Sequence, residues 1–119
     1  MPQTLFKILV LSLIIIGEAV MIYAEMSGAK EHFATAQTFW QIFLRMLIFI
    51  VIGGGFLISG YILGINAFKN IWVMSVVSIT SIIILEPILG WTFFAQLPTT
   101  GAVIGFVLGV IGLFAAIFF

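Results

Sequence analysis

An all-α membrane protein of four transmembrane helices, with antiparallel neighbours and short loops, is the fold class this sequence predicts, and three observations predict it. Of its 119 residues, 64% are hydrophobic and only 7% are charged, whereas a water-facing surface carries about a quarter charged residues. Four apolar stretches each reach roughly the 20 residues that a helix needs to cross a hydrocarbon core about 30 Å thick. The polar breaks between them are short, and short connections turn neighbouring helices antiparallel.

The first span covers about residues 5–24. Lys7 ahead of an apolar run over 8–16 has the outline of a signal peptide; we read it as a retained first span. The second span, about 39–65, is unusually long and carries Gly53, Gly54, Gly55, Gly60 and Gly64. Glycine favours helix less than alanine by about 1 kcal/mol, so this span is expected to bend easily. In the third span, about 71–95, Pro87 directly follows Glu86. The proline removes a helix hydrogen bond and frees the carbonyl of Ile83, making Pro87 a candidate hinge or, equally, a static bend. The fourth span, about 100–119, carries Gly101, Gly105 and Gly109 at four-residue spacing, with Gly112 one turn on. Such a small-residue stripe lets another backbone approach closely, in the same subunit or a second one. Trp40, Trp72 and Trp91 lie towards span ends and read as interfacial anchors. The breaks are 25–38, 66–70 and 96–99, and the whole chain reads as one four-helix domain.

Charge narrows the function classes. Four Lys and Arg balance four Glu, which leaves no basic footprint for nucleic acid. Without cysteine, and with His32 as the single histidine, neither disulfides nor a zinc site can be assembled, and no cofactor is expected. Lys7 and Lys69 fall on one side of the membrane and Lys30 and Arg45 on the other. That tie permits insertion either way up, with only the N-terminal amine favouring N-terminus inside.

Glu18, Arg45 and Glu86 fall within spans, where an ionised side chain is costly unless paired, wetted or neutralised. At 1.5 Å per residue Glu18 lies about 20 Å and Glu86 about 22 Å from the N-terminal side, with Arg45 about 9 Å deep from the opposite side. The three are expected in one buried cluster, Arg45 paired with a glutamate. One guanidinium cannot neutralise two carboxylates, so one glutamate is expected to stay free to bind a proton. A purely structural ion pair between Arg45 and one glutamate remains the alternative. Glu25 reads as interfacial, solvated or at most a gate. Tyr23 and Tyr61 are candidate cavity-lining residues.

The stretch 77–116, VSITSIIILEPILGWTFFAQLPTTGAVIGFVLGVIGLFAA, joins a Glu-Pro pair, an aromatic-rich helix end, a short polar turn and a glycine-striped last helix. It resembles the end of a half-unit in the drug/metabolite transporter superfamily. In length and layout the chain is similar to the small multidrug resistance family, the four-helix branch. IIIGEAVMIYAEMSG, at 14–28, is similar to that family's first span, and GWTFFAQ, at 90–96, to the end of its third helix. The resemblance implies that Glu18 is the proton- and substrate-binding residue. It sets Ser78 and its neighbours where the family offers aromatic residues to its substrate, which makes Ser78 a further cavity-lining candidate. Arg45 and Glu86 are charges that the typical four-helix exporter lacks at these places.

The expected function is a small proton-coupled transporter subunit that acts as a dimer and exports a small cationic or amphipathic metabolite. A hetero-oligomer with other membrane subunits is the variant of that partnership, and membrane lipid is the surrounding partner. A free carboxylate prefers a cation, while an arginine in the same layer could receive an anionic head group. The rival class is a non-transporting membrane subunit of a larger complex, or half of a lipid-linked sugar flippase. Enzyme activity is not expected, since no nucleophile with a base or metal can be assembled from these residues. The expected location is the inner (plasma) membrane of a bacterium or archaeon.

Overall fold

The structure, a computed structural model, describes residues 2–34 and 38–119, with the backbone alone for Phe33 and Ala34. Four helices follow one another: α1 (Gln3–Ala34), α2 (Phe39–Phe68), α3 (Ile71–Phe94) and α4 (Thr100–Phe118). Each is long and apolar enough to cross a membrane, and no strand occurs among the described residues. The chain is an all-α integral membrane protein of four helices. Its first helix runs ten residues past the span expected to end at Ala24, because residues 25–34 contain no proline and only one glycine to stop it. Of the expected break at 25–38, positions 35–37 lie outside the described residues.

Local chemistry sets the helix ends. Thr38 accepts from the Gln41 backbone N–H while the Gln41 side chain accepts from the Thr38 N–H, a reciprocal cap that starts α2. The link from α2 to α3 takes only two residues. Lys69 turns left-handed at φ 58° and donates its N–H to Ile65, and Asn70 then accepts from Trp72 N–H at 2.9 Å. Ala95, at φ 52°, ends α3 in the same way, and the Thr99 hydroxyl caps α4 through Ala102 N–H at 3.1 Å.

Packing is uneven. The α1–α2 hairpin is the spine, α3 lies mainly against α1 with a smaller contact to α2, and α4 touches α3 alone. Val10, Ile14, Ala67 and Met74 form the core at one end, with Tyr61 packed against it, and Ala24, Ile42 and Met46 form a second cluster at the other. Near the hairpin's open end, Gln3 Nε2 donates to the Ala67 carbonyl at 3.0 Å and the Lys7 ammonium stands 5.3 Å from the Phe68 ring centroid.

Glycine makes the hairpin close. A Cβ built on Gly17 would stand 3.1 Å from the Gly53 carbonyl oxygen, and one on Gly53 would stand 3.2 Å from that of Gly17. The two backbones therefore touch at this crossing, as small residues allow in membranes. Gly60 faces Ile14 and Gly64 faces Met74 along the same side of α2, whereas Gly54 and Gly55 meet nothing within 4 Å. α2 runs unbroken through all five.

Adjacent glycines should thus respond oppositely. Gly53→Leu is expected to wedge α1 from α2 and cost about 1–3 kcal/mol. Gly54→Leu is expected to be neutral or to stabilise by up to about 1 kcal/mol, the helix-propensity difference. Reversible unfolding of both variants in mixed micelles measures this, and equal losses would reject the assignment of Gly53 to the crossing.

Candidate functional site

Directly after the crossing glycine of α1 comes Glu18, which is 8% exposed and carries the most buried acidic side chain described. The Ser78 hydroxyl, on α3 and equally buried, donates to Glu18 Oε1. Two neighbouring hydroxyls on α3 do something else: Thr80 donates to the Val76 carbonyl at 2.6 Å and Ser81 to the Val77 carbonyl at 2.8 Å. Back-bonding of that kind satisfies a hydroxyl within its own helix. Ser78 alone of the three reaches across, so a polar bond ties α1 to α3 in an otherwise apolar interior. Among the described residues no buried side-chain nitrogen or oxygen lacks a partner.

The expected cluster of Glu18, Arg45 and Glu86 does not form. Arg45 Nη2 lies 2.7 Å from Glu31 Oε2, with the two side chains 46% and 34% exposed. The reason is length. The 30 residues of α2 rise about 45 Å, more than a hydrocarbon core of about 30 Å, which leaves room for its first turns to extend past the apolar layer. Phe39, Trp40 and Phe43, whose ring centroids lie 5.2 to 5.8 Å apart, mark the same end as an interfacial belt. Glu31, assigned from the sequence to a polar break, is the partner that sequence reasoning missed. It is reachable only because α1 stays helical to Ala34.

Glu86 is on α3 eight residues, or about 12 Å of helix, beyond Ser78. It makes no hydrogen bond or ion pair among the described residues and lines a cavity of about 450 Å³ with Pro87, through which α3 continues as helix. Glu25 is within Coulombic reach of both Glu86 and Glu18. Together with His32 it lines a second, almost wholly apolar cavity of about 300 Å³ between α1 and α2. Tyr23 lines a third of about 410 Å³, its ring 5.6 Å from Phe49 and 5.7 Å from Phe93. Tyr61 fills core space instead.

On α4, Gly109 faces Ile83 at 3.5 Å, Gly101 meets only the capping Thr99 hydroxyl at 4.0 Å, and Gly105 and Gly112 meet nothing within 4 Å. The stripe is therefore mostly unused within the subunit. Gly17 was not distinguishable in the sequence as a contact residue, since a lone glycine beside Glu18 gives no periodic signal.

An ion pair exposed in this way is worth about 1 kcal/mol or less. A double-mutant cycle on Glu31→Gln and Arg45→Gln, read by unfolding in micelles, is expected to return a coupling of that size. A coupling of several kcal/mol would instead mean that Arg45 is paired in the apolar interior.

No family model, curated protein or solved structure matches the chain.

Proposed function

We propose that the chain is a subunit of a small proton-coupled membrane transporter of the small multidrug resistance type, acting as a dimer and exporting a small cationic or amphipathic metabolite. The observation that carries this reading is the buried Glu18 carboxylate held by Ser78 across α1 and α3. Ionisable groups at such depth are expensive, and their retention is the usual mark of a proton or substrate pathway. A proton neutralises the carboxylate, and so does a bound cation, so the two compete for one group and can be exchanged. The Ser78 hydroxyl donates to the charged form and can accept from the protonated one, holding the side chain through the exchange. No Lys or Arg contact to Glu18 stands in the way, Arg45 being drawn off to Glu31. The inner membrane of a bacterium or archaeon is the corresponding location.

Dimerisation is supported by α4, which touches α3 alone and leaves Gly105 and Gly112 open. Four helices enclose little space by themselves, and repeats meeting around a midplane site are the common solution. The same open face also suits a non-transporting subunit that docks on other membrane proteins, or half of a lipid-linked sugar flippase.

Glu18→Gln keeps shape and hydrogen bonding but removes the titration. It is expected to reduce proton-linked flux in proteoliposomes to background, while Glu18→Asp retains part of it and Ser78→Ala lowers it. Flux that survives in Glu18→Gln would refute the reading, and no flux in the parent with a panel of organic cations would move the assignment to the docking subunit.

Gly105→Leu places a large side chain on the open stripe and is expected to weaken self-association, seen as a loss of cross-linked dimer in membranes. Unchanged cross-linking would remove α4 from the interface.

A further inference from the structure

The cavity of about 450 Å³ beneath the α3–α4 turn has a chemistry that the Glu18 reading leaves unused. Its lining combines one carboxylate, Glu86, with the aromatic side chains of Trp91, Phe94 and Phe106, the amide of Gln96 and the bare backbone of Gly90. Volumes in this range, a few hundred cubic ångströms, hold small organic ligands. A Cβ on Gly90 would meet only the end of Met26, at 3.8 Å, so the space beside it is open.

Charge decides what fits. Every Lys and Arg of the chain is engaged elsewhere: Lys7 over the Phe68 ring, Lys69 at the opposite end of the bundle as the cap of α2, Lys30 over the Phe93 ring at 5.7 Å, and Arg45 against Glu31. None pairs with Glu86. The site therefore selects a positive charge from outside the chain. Its walls are mainly apolar and aromatic, which favours a cation with a hydrocarbon body over a hydrated metal ion, attracted both by the carboxylate and by the rings.

We propose that this cavity binds an ammonium group carried on an apolar body, with Glu86 supplying the countercharge and Trp91 an aromatic wall. The group comes either from the head of an amine-bearing membrane lipid or from a free organic amine, since the cavity opens beside the turn at 95–99, at the end of α3. The site is separate from Glu18 and does not depend on transport.

Equilibrium binding tests it. With Trp40→Phe and Trp72→Phe, Trp91 is the single tryptophan, and benzyltrimethylammonium is titrated into the full chain in phosphatidylglycerol nanodiscs, which contain no ammonium lipid. The expected result is a saturable shift of Trp91 emission that Glu86→Gln weakens by about tenfold or more and that Gly90→Leu abolishes by filling the cavity. A parent without a saturable shift or a Glu86→Gln protein that titrates like the parent would each overturn the proposal. Should Glu86→Gln fail to fold, Gly90→Leu decides alone, and unaltered binding there is refutation. Replacing part of the lipid with phosphatidylethanolamine distinguishes the sources: a right-shifted titration assigns the site to a lipid head group, and an unshifted one assigns it to a free amine. Because the readout is binding, its failure is independent of any failure of proton-coupled flux at Glu18.

Discussion

At Gly17 and Gly53 the backbones of α1 and α2 approach so closely that a Cβ at either position would stand only 3.1 to 3.2 Å from the other helix's carbonyl oxygen, and the remainder of the bundle is arranged around that contact. In a bilayer, apolar side chains gain nothing by leaving lipid for protein, so helices associate where small residues permit dense backbone packing. The glycine seam, continued by Gly60 against Ile14 and Gly64 against Met74, supplies that packing for the hairpin. Met74 belongs to α3 and is fully buried. The seam thus sets where the third helix seats as well.

Seating α3 in that groove is what gives Glu18 its partner. Glu18 follows the crossing glycine, and α3 presents Ser78 to it while Thr80 and Ser81 turn back on their own helix. A carboxylate next to a close backbone crossing cannot swing freely into lipid, and the hydroxyl from α3 satisfies it from the other side. One polar bond is then a structural tie between α1 and α3. Glu86 lacks such a partner. It lines a roomier, aromatic-walled space near the α3–α4 turn.

Helix α4 shows the opposite balance. Its sequence is the most apolar of the four, yet none of its residues is buried and it leans on α3 alone. In lipid this carries no hydrophobic penalty, because the tails are as apolar as the side chains. The helix is consequently stable in the membrane with Gly105 and Gly112 uncovered.

Composition and run length alone determined the fold class, the number of spans and the starts of α2, α3 and α4, because a bilayer demands about 20 apolar residues per crossing and Thr38, Asn70 and Thr99 cap the helices that follow. The same reading singled out Glu18, a charge inside an apolar run, whereas Ser78 entered only through the resemblance to a transporter family. Partnership was not legible. Gly53, Gly54 and Gly55 are chemically identical neighbours, and only the angle at which α1 crosses α2 separates the one in contact from the two that are not. Counting depth from span ends put Arg45 level with Glu18 and Glu86, but α1 and α2 are longer than the membrane is thick, and Arg45 meets Glu31 on the extended end of α1. Which charges meet depends on helix overhang, crossing and rotation. These are properties of helices packed together, and one-dimensional spacing does not contain them.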